Sequence, residues 1–171
     1  WVEKYPEEVK KIAEAGHDLG NHSATHPHMA QQTAEQITEE LQKCHQNVKD
    51  LTGIEMDLFR PPFGEYDNEV IETAKQNGYY TIQWDVDSLD WKDYGTESIL
   101  KTVCEHKHLG NGSIILMHNG AKYTASALER LIETLHKKGY EFVPLSDLIY
   151  RENFYMDHEG RQIPKDSTTP E

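Results

Sequence analysis

The chain has 171 residues, enough for one domain with a hydrophobic core and too few for two domains of ordinary size. Seventeen Lys and Arg against thirty Asp and Glu give a formal net charge of −13, which argues against a nucleic acid partner, because that binding depends on cationic contacts to phosphate. No apolar run is long enough to cross a bilayer, and two cysteines, Cys44 and Cys104, leave the disulfide state open.

Short segments rich in β-branched and aromatic residues alternate with longer segments of helical periodicity, which predicts an α/β protein with parallel strands. In chain order the pattern predicts a helix over 6–15, a strand over 18–21, a helix over 33–52, a strand over 57–60, a helix over 68–77, a strand over 80–85, a helix over 96–106, a strand over 113–118, a helix over 124–138 and a strand over 141–144. A short helix opens at Ser146, so residues 1–150 form the predicted domain and 151–171 a polar, frayed tail. Five strands fit either an open doubly wound sheet or part of a barrel.

Both architectures place functional side chains at the carboxyl ends of the strands. His22 and His26 follow the first strand, and a spacing of four residues predicts two imidazoles on one face of a helical turn, aimed at one divalent cation. Arg60 follows the second strand and stands before two prolines, which suits a cation that holds a carboxylate in place. Either segment also has a structural interpretation, as a surface histidine pair and as a Pro-Pro turn.

The third and fourth strands end in further titratable groups. Three acids, Asp85, Asp87 and Asp90, lie between Trp84 and Trp91, and burial of a carboxylate there requires a cation or histidine partner. Trp84 is predicted as core, whereas Trp91 could stack on a sugar ring. The apolar fourth strand ends at His118, which is either an acid or base catalyst or a structural histidine.

These segments occur in a specific order, His-Ser-x-x-His, Arg-Pro-Pro-Phe-Gly, Asp-x-x-Asp-Trp and Leu-x-His, each at a predicted strand end. The series resembles the motifs of the polysaccharide deacetylases of carbohydrate esterase family 4, the NodB-homology domain, over residues 1–148. The local sequence is similar to that of cell-wall deacetylases of spore-forming Gram-positive bacteria. The resemblance implies a distorted (β/α) barrel of about seven parallel strands, which favours the barrel over the open sheet.

The resemblance also implies a role for each motif residue. His22 and His26 would be two of three protein ligands of a divalent metal, zinc or else cobalt or nickel. Arg60 would orient the catalytic base, His118 would be the general acid, and Asp90 would hold that acid. The substrate-binding positions that the resemblance implies are Pro61, Phe63, Asp87, Trp91 and Leu116.

One motif of the family does not occur in these 171 residues: Thr-Phe-Asp-Asp-Gly, which carries the third ligand and the base. We therefore expect the first two strands of the barrel to be missing from this chain and to be supplied by a separate N-terminal segment of the same protein. The expected activity is metal-dependent hydrolysis of N-acetyl groups from an N-acetylglucosamine-containing polymer, peptidoglycan or chitin-like. The alternative is a fragment or a noncatalytic glycan-binding module of the same fold. A bacterial extracellular or cell-envelope location is expected, with any signal or anchor lost.

Overall fold

The computed structural model of the chain describes residues 1–165. The chain divides into two compact units, Trp1–Glu141 and a shorter one that begins at Phe142, and every predicted site residue lies in the first. The predicted division at residue 150 stays a prediction.

Among residues 1–165, six α-helices account for most of the regular structure. They are α1 (Pro6–Glu14), α2 (Ala34–Thr52), α3 (Asn68–Gln76), α4 (Thr96–Cys104), α5 (Thr124–Lys137) and α6 (Leu145–Leu148). Helix α2 begins at a capping box, in which Thr33 and Gln36 bond each other's backbone N–H, and it ends at Gly53, whose φ of 75° closes the last turn. Within residues 1–165, no helix has the combination of length and apolar character that a membrane span requires.

The strands of the first unit are short and parallel. Strand β1 (Leu58–Phe59) pairs with β2 (Tyr80–Thr81), and β3 (Val86–Asp87) pairs with β4 (Ile115–Leu116). Asn21 adds a single parallel bridge to Phe59. Parallel pairing between segments separated by helices confirms the α/β prediction.

Two hydrophobic clusters support these strands. The first lies between α2, α3 and β1, and it contains Met29, Ile37, Leu41, Val48, Met56, Phe59, Val70, Ala74 and Tyr79. The second lies beneath β3, α4 and α5, and it contains Val86, Val103, Leu131 and Leu135. Each cluster therefore fixes one pair of parallel strands.

Four local predictions were wrong. The strand predicted over 18–21 is only the bridge at Asn21, the strand predicted over 80–85 is only β2 at its beginning, and residues 141–144 form no strand. The tail is not frayed, because β5 (Phe154–Met156) and β6 (Gln162–Pro164) form an antiparallel hairpin. The Asp157 carboxylate stabilises the turn of this hairpin by accepting from the backbone N–H groups of Arg161 and Glu159. These hydrogen bonds hold the pKa of Asp157 below its usual value. The remaining tail residues, 166–171, lie outside the described residues.

Candidate active site

The segment that carries His22 and His26 is a loop, so the predicted helical turn was wrong. Ser23 and His26 have φ values of 70° and 60°, in the left-handed region that non-glycine residues rarely adopt. The two imidazole rings nevertheless meet, with centroids 4.9 Å apart and planes at 76°. The loop therefore achieves the convergence of the two rings that a helical turn was expected to provide.

Glu40 of α2 holds the part of the loop between the two histidines. Its Oε2 accepts from the backbone N–H of Ala24 at 2.9 Å and of Thr25 at 2.8 Å, and its Oε1 accepts from the Thr25 hydroxyl at 2.7 Å. A carboxylate that accepts three hydrogen bonds restrains the loop because each bond to an ionised acceptor is stronger than a neutral one. The sequence pattern does not single out Glu40, because a Glu within an amphipathic helix is ordinarily a solvent-facing residue.

The tautomer of His22 follows from its hydrogen bond. Its Nδ1 lies 2.5 Å from the carbonyl oxygen of Arg60, which only accepts, so Nδ1 carries the proton and Nε2 keeps its lone pair. The pKa of His22 is lowered to about 4, mainly by burial and also by the nearby charges of Arg60, His26 and His118, while the bond to the Arg60 carbonyl opposes this shift. His22 is thus neutral at physiological pH, which is the form that binds a metal.

The donor set fits part of a metal site. His22 offers Nε2 and holds its other nitrogen on a carbonyl, the arrangement that orients a metal-binding imidazole, and His26 lies beside it with an exposed ring. Among residues 1–165 no cluster of three or more His, Cys, Asp and Glu side chains is arranged to hold a metal. The described residues therefore bring together two imidazole donors, and a metal held there would need its other ligands from another source.

Arg60 lies next to the histidine loop because its backbone N–H donates to the Asn21 carbonyl at 2.9 Å. Its guanidinium is half-buried and forms no ion pair with any acid among the described residues, and burial lowers the pKa of Arg60. A partly desolvated cation without a counterion favours the approach of a carboxylate. This is the environment expected for a residue that orients a catalytic base.

After Arg60 the chain makes a tight turn through buried Pro61 and Pro62 to Phe63 and Gly64. Phe63 has a φ of 59° and Gly64 a φ of 68°, and a Cβ added to Gly64 would lie 2.6 Å from the Cη2 of Trp84. Gly64 is therefore required both by conformation and by space. The turn leaves the Phe63 ring 54% exposed, and the Phe63 N–H donates to no backbone acceptor within residues 1–165.

The Phe63 ring is held between two histidines. His26 meets it edge to face at 4.5 Å between centroids, and His28 stacks on it at 4.3 Å with an interplanar angle of 14°. His28 is itself fixed by a 2.8 Å contact between its Nδ1 and Glu65 Oε2. His28 was missed in the sequence, where nothing distinguishes it from the other exposed histidines.

Asp90 and His118 form the second half of the site. The side chain of Asp90 is fully buried, and its Oδ1 accepts from His118 Nδ1 at 2.7 Å. Its Oδ2 accepts from the His118 backbone N–H at 2.6 Å and from the Thr124 hydroxyl at 2.7 Å. Burial alone would raise the pKa of Asp90, but the bonds from His118 and Thr124 outweigh it and hold that pKa below its usual value. Thr124 was missed because it reads as the start of α5.

The remaining predicted residues lie around these groups. Asp87 and Leu116 face each other as register partners on β3 and β4, where Leu116 is 6% exposed and Asp87 Oδ1 accepts from the Leu89 N–H at 2.9 Å. Trp91 is 54% exposed beside Asp90, and Lys92 Nζ lies 5.1 Å from its ring centroid. The structure thus provides one buried apolar position and one exposed aromatic surface next to the Asp90–His118 pair.

Comparisons with known proteins identify the family of the chain. The profile of the polysaccharide deacetylase family matches residues 1–82. The chain is 34% identical over 159 residues to the peptidoglycan-N-acetylmuramic acid deacetylase PdaA of Bacillus subtilis, covering 91% of this chain and 60% of that protein. It is 33% identical to a peptidoglycan-N-acetylglucosamine deacetylase of Bacillus cereus, covering 86% of this chain and 70% of that one. The chain belongs to the polysaccharide deacetylase family.

Solved structures place it in carbohydrate esterase family 4. A family 4 pseudoenzyme from Bacillus anthracis superimposes with a TM-score of 0.81 at 33% identity, covering 86% of this chain and 52% of that structure. The chain therefore carries part of the distorted (β/α) barrel of family 4, as its sequence predicts. It spans only 46% to 60% of the length of the first curated relatives that it matches.

Proposed function

We propose that this chain is the metal- and acid-bearing part of a peptidoglycan N-deacetylase, which hydrolyses N-acetyl groups from an N-acetylglucosamine-containing polymer. One observation carries the proposal: Asp90 binds His118 through both carboxylate oxygens, next to two convergent imidazoles and a half-buried Arg60 that has no acidic partner among residues 1–165. The two relatives are named for different sugars of peptidoglycan, so the shared chemistry is removal of an N-acetyl group from its glycan strand.

His118 is the proposed general acid. Its Nδ1–H is donated to Asp90, so its second ring nitrogen, Nε2, is the one available to a substrate, and the side chain is 38% exposed. A buried carboxylate in this position fixes the tautomer and stabilises the imidazolium form. Protonated His118 would then give its Nε2 proton to the amine that leaves when the amide bond breaks.

Arg60 and Phe63 are the proposed partners of the other reacting groups. The Arg60 guanidinium would hold the carboxylate of the general base in one orientation, and the Phe63 N–H would donate to the oxyanion that develops on the acetyl carbonyl. Both the base and a third metal ligand must come from an acidic segment, which we propose is an N-terminal part of the same protein.

His22 and His26 would hold a divalent cation, for which we propose zinc, with cobalt or nickel as alternatives. Bound there, the cation would polarise the acetyl carbonyl and lower the pKa of a water molecule. The exposed rings of Phe63 and Trp91 would line the glycan groove together with Pro61 and Asp87, and Leu116 would contact the acetyl methyl group. A substrate of this kind supports an extracellular or cell-envelope location in a bacterium, which we propose for this protein.

Acetate release tests the proposal. The chain is mixed with zinc, a peptide that carries Thr-Phe-Asp-Asp-Gly, and either acetylated chitooligosaccharide or glycan strands of peptidoglycan. We expect acetate only when both the peptide and the metal are present, and a loss of about 10² to 10⁴-fold in His118→Asn. His106→Asn, at a half-buried histidine outside the site, is the matched control and should keep its rate. If no combination releases acetate, the proposed activity is wrong.

A noncatalytic glycan-binding module is the second candidate. It is favoured by the similarity to a structure described as a family 4 pseudoenzyme, and by the lack, among residues 1–165, of three or more side chains arranged to hold a metal. This candidate predicts that the chain binds the same oligosaccharides without acetate release, and that Trp91→Ala weakens binding while His118→Asn does not. Equal loss of binding in both variants would contradict it.

A further inference from the structure

Tyr79 lies outside the candidate site but is connected to it by hydrogen bonds. Its side chain is 5% exposed, within the first hydrophobic cluster, and its hydroxyl accepts from Asn21 Nδ2 at 2.9 Å. Burial raises the pKa of Tyr79, so the hydroxyl keeps its proton and also serves as a donor. A buried hydroxyl of this kind needs partners on both sides.

The donor side of the hydroxyl meets His45. The two atoms, Tyr79 Oη and His45 Nδ1, are 2.6 Å apart, and His45 Nε2 lies 2.7 Å from Glu55 Oε2. Because a carboxylate only accepts, the neutral imidazole of His45 carries its proton on Nε2, and in that form Nδ1 accepts from the Tyr79 hydroxyl. The hydrogen bonds therefore run in one direction, from Asn21 through Tyr79 and His45 to Glu55.

Asn21 connects these hydrogen bonds to the loop that carries His22 and His26. Its Nδ2 donates to both the Leu41 carbonyl and Tyr79, which leaves Oδ1 turned to accept from the Ser23 N–H at 2.9 Å. The Ser23 hydroxyl in turn accepts from the His26 N–H at 2.9 Å. Asn21 is 1% exposed, so no solvent competes for its amide.

The two residues at the end of this chain of hydrogen bonds are those in the left-handed region. Ser23 and His26 have φ values of 70° and 60°, and such conformations persist only where the surroundings hold them. Each one's backbone N–H is bonded within the chain, and His22 lies between Asn21 and Ser23. The backbone next to both imidazoles is thus held by bonds that connect, through Asn21, to the hydroxyl of buried Tyr79.

We propose that Tyr79 is a positioning residue for the two candidate metal ligands, His22 and His26, and that it acts through Asn21 and the strained Ser23 turn. This rests on the proposed role of the histidine pair. The hydroxyl of Tyr79, and not its ring, is the group that holds the Asn21 side chain in place.

The test is Tyr79→Phe, which keeps the ring in the core and removes the hydroxyl. In hydrogen-exchange NMR of the metal-free chain, exchange of the Ser23 and His26 amides should accelerate about tenfold, whereas that of the Ile82 amide, bonded to the Phe59 carbonyl, should not change. In a zinc titration followed at the His22 and His26 ring resonances, the dissociation constant should rise about tenfold or more. Tyr140→Phe, a half-buried tyrosine beside the second cluster, is the matched control and should alter neither.

Two results would overturn the proposal. One is exchange and zinc affinity within twofold of the wild-type values, which would mean that the hydroxyl has no role. The other is an equal acceleration at Ile82, which would mean that Tyr79 serves only global stability. If the wild-type chain shows no zinc binding at the pair, the proposed metal role fails, while the exchange rates at Ser23 and His26 still decide whether Tyr79 positions the loop.

Discussion

Asp90 and His118 are joined twice, once through the His118 ring and once through its backbone N–H, so that one buried carboxylate fixes both the tautomer and the position of the imidazole. Thr124 completes the set of donors. A fully desolvated carboxylate is tolerated here because its oxygens meet donors on both sides, one of them on a titratable ring.

Asp90→Asn should lower the free energy of unfolding at pH 7 by about 2–4 kcal/mol, because an amide has one acceptor oxygen for three donors at a buried site. Chemical denaturation measures this change. Asp93→Asn is the control, since exposed Asp93 accepts only one bond of 3.2 Å from the Lys122 N–H, and it should stay within about 0.5 kcal/mol. A loss of the same size in both variants would contradict the assignment.

The stability of the wild-type chain should also fall in acid. The folded pKa of Asp90 is depressed, so its contribution is present above the unfolded value of 3.8 and is lost as the pH falls through the folded pKa. Asp90→Asn should therefore show a weaker decline below about pH 4 than the wild-type chain does. Parallel curves for the two proteins, measured by denaturation between neutral and acidic pH, would show that Asp90 does not titrate in this way.

His22 should titrate near pH 4 in the metal-free chain. Its folded pKa is about 4 against 6.5 for the free side chain, so the unfolded chain takes up the proton first, and stability is lost as the pH falls from 6.5 towards 4. NMR of the ring resonances gives the midpoint directly. A midpoint near 6 would mean that the ring is not desolvated.

Gly64→Ala should destabilise the chain by about 2–4 kcal/mol, from strain at positive φ together with a clash against the Trp84 ring. Gly53→Ala separates the two causes: Gly53 has a similar φ of 75° with no atom within 4 Å of an added Cβ. It should cost only the backbone part, about 1–2 kcal/mol. Thermal or chemical unfolding of both variants would show the difference, and equal losses would exclude the Trp84 clash.

Glu40→Ala should loosen the histidine loop, because three donors lose their acceptor. We expect a loss of about 1–2 kcal/mol in stability and faster amide exchange at Ala24 and Thr25. Glu39→Ala, at the exposed neighbouring position on α2, is the control and should leave both measurements near the wild-type values. Unchanged amide exchange at Ala24 in the Glu40 variant would show that the hydrogen bonds to Glu40 do not restrain the loop.

The sequence by itself determined the α/β class, most helix bounds and the family. Helix bounds were readable because capping residues and glycine stops act locally, as at Thr33 and Gly53. The motifs were readable because each one lies at or after a strand, or after the bridge at Asn21 for the histidine pair, and carboxyl ends of parallel strands meet at one face. Strand lengths were less readable, since pairing depends on partners distant in the chain.

Only the tertiary structure decided what holds the motif residues in place. The loop conformation of His22 and His26 depends on Asn21, Glu40 and buried Tyr79, which are brought together by packing of α2 and α3 against β1. The hydrogen bond from the Thr124 hydroxyl to Asp90 requires α5 to begin beside the turn after β3. These contacts join residues 16 to 58 positions apart, so no local pattern predicts them.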